Sequence, residues 1–111
     1  MISKLTAEHY AWNDRCDGWH LVRTGQISVI HERMQPGSAE TRHLHRVARQ
    51  FFFVLEGVLT VELPHAHEVL RAHEAVEVPP GTPHNVVNRS CLPVEFLVIS
   101  EPPSHDDRLA Q

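Results

Sequence analysis

GSAETRHLHRVARQFFFVLEG, residues 37–57, carries His43 and His45 one residue apart and Gln50 five residues on. Two strand-like runs meet here, and Gly57 stops the second. Side chains alternate across a strand, so positions i and i+2 share a face. His43 and His45 therefore form a pair of imidazoles pointing the same way. If Gln50 lies on that inner side, so do Phe52 and Val54, while Phe51, Phe53 and Leu55 face outward. PPGTPHNVVN, residues 79–88, supplies a further imidazole, His84, behind a connector that three prolines stiffen by fixing φ.

Most of the chain punctuates itself into short strands. WHLVRT (19–24) ends at Gly25, and QISVIHERM (26–34) ends at the Pro36-Gly37 turn pair. AETRHLH (39–45), RQFFFVLE (49–56), VLTVEL (58–63), HEVLRA (67–72) and AVEV (75–78) follow. HNVVNR (84–89) and VEFLVIS (94–100) complete the set. Regular short strands with Gly and Pro between them and no helical period predict an all-β sandwich or barrel. Residues 1–18 are expected as an N-terminal arm docking Tyr10 and Trp12 on the barrel wall. Residues 19–101 are expected as the barrel and 102–111 as a loose tail.

At 111 residues the chain has room for one domain, and 41% hydrophobic content is too high for a disordered one. The net charge of −4 and the lack of a basic cluster argue against nucleic acid as the main partner. The 10 histidines raise the expectation of a metal or pH-sensitive site. Cys16 and Cys91 have no neighbour at a zinc or redox spacing, so reduced thiols and a cytoplasmic location are expected. MISKLTAEHY has no apolar core segment and is not expected to act as a signal peptide. No run approaches membrane-spanning length.

Three imidazoles and an amide oxygen fixed by strands suit a divalent first-row metal, without naming which: Mn, Fe, Ni and Zn all remain open. Such a site leaves positions for substrate or water. Arg33 is the candidate clamp for a substrate carboxylate if His31 and Arg33 point inward. Phe52 and Val54 are expected to line the pocket. Leu97 and Ile99 join Phe51, Phe53 and Leu55 in an apolar outer face, which predicts a covering homodimer partner.

These two stretches resemble the paired motifs of the cupin superfamily. The first motif runs Gly, five residues, His-x-His, three or four residues, Glu, six residues, Gly. Here that is Gly37, His43, His45, Gln50 and Gly57. The second runs Gly, five residues, Pro-x-Gly, two residues, His, three residues, Asn. Here that is Pro79, Gly81, His84 and Asn88, with His73 where Gly is usual. The motifs span about half the chain and are specific in combination.

The resemblance implies a double-stranded β-helix, the cupin jelly-roll barrel, with His43, His45, Gln50 and His84 as metal ligands. Gln50 replaces the usual Glu, and an amide cancels none of the metal's charge. Weaker metal affinity, harder oxidation and attraction of an anionic substrate are expected. Small cupins with Gln at this position include ones acting on unsaturated sugar acids. The expected function is Lewis-acid chemistry on a small, anionic molecule by an isomerase, tautomerase or dioxygenase-like enzyme. No catalytic acid or base is nameable from the sequence. The alternative is a non-catalytic ligand-binding or sensing cupin with a structural metal. An acid/base group within reach of the open metal positions would separate the two.

Overall fold

A computed structural model of the chain describes residues 1–13 and 15–111. Among the described residues, eleven strands carry the fold: β1 (Glu8–Trp12), β2 (Cys16–Arg23), β3 (Ser28–Met34), β4 (His43–His45), β5 (Arg49–Glu56), β6 (Leu59–Glu62), β7 (His67–Leu70), β8 (Ala75–Val78), β9 (Asn85–Val87), β10 (Val94–Glu101) and β11 (Arg108–Ala110). Six of them form one sheet in the order β1-β2-β3-β10-β5-β8. Opposite it stand β7-β6-β9 and the pair β11-β4. Bridges Ala39↔Val87 and His43↔His84 tie that pair to β9. All named pairings are antiparallel. This is the double-stranded β-helix, a jelly-roll barrel.

Period-two alternation builds the core. Along β5, Gln50, Phe52 and Val54 are buried while Arg49 and Phe51 are exposed. Along β10, Val94, Phe96, Val98 and Ser100 are buried and alternate with half-exposed Glu95, Leu97 and Ile99. Phe96 and Val54 pair across the two strands and are both fully buried. Leu59, Val61, Val78 and Val86 close the core from the other strands. At one end the apolar interior gives way to buried His43, His45, His84 and Gln50. The site is therefore a polar continuation of the core.

Both termini differ from the expectation. Residues 8–12 and 16–23 form a hairpin that extends the large sheet past β3. Its Cys16 is part of the core. The C-terminal stretch is not loose. Residues 108–110 pair with β4, the strand bearing two of the imidazoles. The Asp107 carboxylate accepts the backbone N–H groups of Arg46, Val47 and Ala48 at 3.1, 2.8 and 2.9 Å. Short polar runs gave no alternation from which to read these strands.

His73, where the motif expects Gly, keeps the glycine-like turn. Its φ is +69°, in the left-handed region that Cβ disfavours, and its N–H donates to Val54 O at 2.7 Å. Gly57 has less freedom to change. Its φ is +90°, and an added Cβ would sit 2.7 Å from Pro93 O.

Phe96→Ala is expected to lower unfolding free energy by about 3–5 kcal/mol in denaturant titrations, because the site is fully enclosed. A loss below 1 kcal/mol would contradict this account of the core.

Candidate metal centre

Two motifs 39 residues apart, at His45 and His84, come together through backbone pairing. His43 N–H donates to His84 O at 3.0 Å, and His84 N–H donates to His43 O at 2.8 Å. Gly81 N–H donates to His45 O at 2.6 Å, which seats the proline turn against β4. The ring centroids of His43 and His84 lie 4.5 Å apart, those of His43 and His45 4.9 Å, and those of His45 and His84 5.8 Å. One nitrogen from each ring falls within 4.8 Å of the other two.

Tautomers prepare these rings for a cation. The Nδ1 atoms of His43 and His84 donate to Thr41 O and Thr82 O, each at 2.8 Å. A carbonyl only accepts, so Nδ1 holds the hydrogen and a neutral ring keeps a lone pair on Nε2. Burial pushes all three imidazole pKa values down, His43 to about 4, so the rings are neutral at pH 7. His45 Nδ1 is buried without a hydrogen-bond partner.

Gln50 completes the set. Its amide nitrogen donates to Ser100 Oγ at 3.0 Å and to Ser104 Oγ at 3.4 Å. Its Oε1 is thereby turned to within 3.0 Å of His84 Nε2. With Nδ1 of His84 protonated, two lone pairs confront each other, an arrangement that a shared cation relieves. The donor set, three neutral imidazoles and one amide oxygen, fits a first-row divalent ion.

His43, His45 and Gln50 of this set border a cavity of about 170 Å3. It is smaller than the roughly 300–1,000 Å3 of drug-sized pockets. His43, His45, Gln50 and Phe52 line it beside four residues that sequence reasoning did not place at the site: Tyr10, Glu32, Glu40 and Arg108. Tyr10 comes from β1 and Arg108 from β11, the two strands missed at the termini. Glu32 alternates inward with Ile30 and Met34 on β3, a signal present in the sequence once the strand's inner face is known.

The two carboxyl groups are chemically unusual. Burial, opposed by a 2.6 Å hydrogen bond from Tyr10 Oη, moves Glu32 from an ordinary 4.5 to about 7. Burial and then the charge of Glu32 move Glu40 to about 8. Glu40 Oε1 accepts the Val86 N–H at 3.1 Å. Arg108 opposes both shifts electrostatically and donates to Thr41 O at 3.2 Å. Desolvation and Glu32 raise the Tyr10 hydroxyl well above its usual value, so it stays a donor.

Two expected pocket residues lie elsewhere. Arg33 faces the opposite side of β3, where it pairs with Asp17 at 2.9 Å and lies over the Trp19 ring. His31 shares that face and contacts Glu95 at 2.7 Å. Glu32 holds the inward position between them, so Arg33 is no clamp for a ligand in this cavity. Val54 points inward but belongs to the sealed core rather than the cavity wall. Phe52 serves both, its ring 6.0 Å from His84 and 6.3 Å from Phe96.

Comparison with known proteins agrees with this architecture. A family model described as the cupin domain matches residues 30–100. An uncharacterized protein of Methanocaldococcus jannaschii is 31% identical over 72 residues, which cover 64% of this chain and 58% of that protein. The structure is similar to the polyketide cyclase RemF from Streptomyces resistomycificus, with TM-score 0.85, 18% identity and 99% and 83% of the two chains covered. It is also similar to KdgF from a Halomonas species, with TM-score 0.84, 18% identity and 94% and 95% covered. A sugar phosphate isomerase from Silicibacter pomeroyi gives TM-score 0.81 at 22% identity, with 93% and 76% covered. At such identities the structural likeness speaks to the fold.

Gln50→Glu is expected to tighten divalent-metal binding at least about tenfold by calorimetry, since a unit charge at ~4 Å is worth about 4 kcal/mol at an effective dielectric near 20. Unchanged affinity would place residue 50 outside the coordination sphere. Glu40 supplies a stability test on metal-free protein. Between 4.5 and about 8 the folded chain holds a proton that the unfolded chain has released. Stability must therefore fall as pH rises through that window. Thermal melts from pH 5 to 8.5 should show this decline, and Glu40→Gln should flatten it; parallel curves would contradict the assignment.

Proposed function

Because the chain belongs to the cupin family, we propose that it is a metal-dependent enzyme that moves a proton on a small, anionic, enolisable molecule, as an isomerase or tautomerase does. The observation that carries this reading is one cavity lined both by imidazoles of the candidate metal centre and by Glu32 and Glu40, with pKa values of about 7 and 8. General acid–base catalysis works best with groups poised near the operating pH. A sensing or storage module has no need of such a pair, and the cavity is not filled by Phe52 and its apolar neighbours. Paired proton carriers also favour proton transfer over oxygen chemistry.

His43, His45 and His84 would hold one divalent ion, Mn, Fe, Ni or Zn, with Gln50 as a neutral fourth donor. Bound there, the ion supplies Lewis acidity that polarises a substrate oxygen. Gln50 leaves the ion's charge uncancelled, and Arg108 adds a cation at the mouth, so an anionic substrate is drawn in. Glu40 holds Oε1 on the Val86 N–H; once ionised, which the positive charge of an ion held nearby would favour, it has Oε2 free to take a proton from the carbon beside the carbonyl. Glu32, its Oε2 fixed by Tyr10, is the second proton station. Phe52, Ile30 and Val98 make the apolar wall that limits water.

We also propose a homodimer and a reducing, cytoplasmic setting. Phe51 remains 39% exposed beside half-buried Phe53, Leu97 and Ile99 on the outer face of the large sheet. The N-terminal strand extends that sheet at its edge and leaves the face open. Cys16 and Cys91 are both free thiols, in keeping with a reducing compartment. No helix among the described residues is long and apolar enough to cross a membrane.

The chemistry is tested by incubating metal-loaded protein with a panel of small 2-oxo acids in D2O and following deuterium uptake by NMR. Exchange on at least one compound is expected, with Glu40→Gln slowing it at least about a hundredfold at unchanged metal content, in line with general-base losses of 10²–10⁴. Exchange as fast in Glu40→Gln would remove Glu40 as the base, and no exchange with any member of the panel would leave the ligand-binding module as the better reading. For the dimer, sedimentation equilibrium should give twice the chain mass for the wild type and the chain mass for Phe51→Glu. A wild-type monomer would refute it.

A further inference from the structure

We propose that the cavity has a second compartment, walled by His20, Arg23 and Ser28, that binds an oxyanion at the far end of the molecule whose near end reaches the imidazole cluster. The near end rests on the function proposed above; the compartment itself stands on its own observations.

A hollow of about 80 Å3 adjoins the main cavity and shares Ile30, Ser104 and His105 with it as wall. Roughly three water volumes fit such a space, the size of a carboxylate or phosphate head. Strict alternation would put His20 and Arg23, three residues apart, on opposite faces of β2. The ladder between β2 and β3 is irregular between His20 and Val22, so His20 pairs with Ile30 and Arg23 with Ser28. Ile30 and Ser28 are themselves inward positions lining the hollow. The bulge at Leu21 therefore brings both basic side chains to the inner side, a device by which bulges re-aim side chains beside sites.

The compartment's lining differs from that of the main cavity. Glu32 and Glu40 line the main cavity, whereas the described wall of the hollow holds Arg23, His20 and His105 and no carboxylate. Arg23 meets Glu8 only at 3.4 Å, with both side chains more than half exposed, a pairing weak enough for a ligand anion to replace. His20 Nδ1 is buried and has no hydrogen-bond partner. Its ring packs 5.1 Å from that of Tyr10, which lines the main cavity. An anionic oxygen accepting from His20 and Arg23 would satisfy both. The described wall of the hollow offers donors and no carboxylate, so the substrate's oxyanion lies towards Arg23 and its carbonyl towards the imidazoles.

The test is a protein-observed NMR titration of the metal-free chain with inorganic phosphate, and with acetate in parallel to separate a phosphoryl from a carboxylate terminus. Saturable shifts are expected in residues 20–28 and around Ser104. Arg23→Gln and His20→Ala should each weaken binding at least about fivefold while metal content after loading stays at the wild-type level. Arg23 is exposed, so its variant keeps the test valid if His20→Ala folds poorly. No saturable shift at residues 20–28 with either anion, or binding that Arg23→Gln leaves unchanged, would overturn the proposal and leave the metal centre untouched. Phosphate binding at residues 20–28 in a chain that takes up no metal would keep the compartment and sink the proposed function.

Discussion

The reciprocal backbone hydrogen bonds between His43 and His84, at 3.0 and 2.8 Å, are the constraint on which the site depends. They form where β4 meets the strand that follows the proline turn, and they hold three imidazoles within reach of one ion. Everything nearby fixes that junction. The turn of residues 79–83 hands His84 into register, and Gly81 donates to His45 O. The Asp107 carboxylate collects three N–H groups from the link between His45 and Gln50. Strand β11 covers the outer edge of β4. A fold with few long-range backbone pairings at this point would leave the imidazoles to wander by more than metal geometry tolerates.

The site also runs against the stability of the chain. Buried neutral imidazoles, an unpartnered His45 nitrogen and two carboxyls held above their ordinary pKa all cost free energy in the empty protein. The apolar core built on Phe96, Val54, Leu59 and Met34 offsets that cost. A bound cation would recover part of it by meeting the Nε2 lone pairs, so the same features that weaken the empty chain favour occupancy. Gln50 in place of a carboxylate moves the balance: the centre keeps more positive charge, and negative charge must come from a ligand or from Glu32 and Glu40 nearby.

Much of the fold was legible because the interior strands alternate. RQFFFVLE and VEFLVIS each announce two faces, and His43-x-His45 shares the first of them. The motif spacing then indicated the jelly roll and the imidazole set. The termini were not legible. EHYAW and RLA are too short and polar to show a period, and what makes them strands is pairing with β2 and β4. With them went Tyr10 and Arg108. The place of Arg33 is hidden for a related reason: HER offers a carboxylate flanked by two basic residues, and only the register of β3 against β10 shows that Glu32 takes the inner position. The inward turn of Arg23 required the bulge at Leu21, which no pattern of residue types announces.

Occupancy of the imidazole cluster decides the account. Elemental analysis of protein purified without an affinity His-tag and without added metal, beside His84→Ala, tests it most directly. Close to one divalent first-row ion per chain is expected in the wild type and little in the variant, with both proteins folded. No metal in the wild type, either as purified or after incubation with divalent ions, would contradict it.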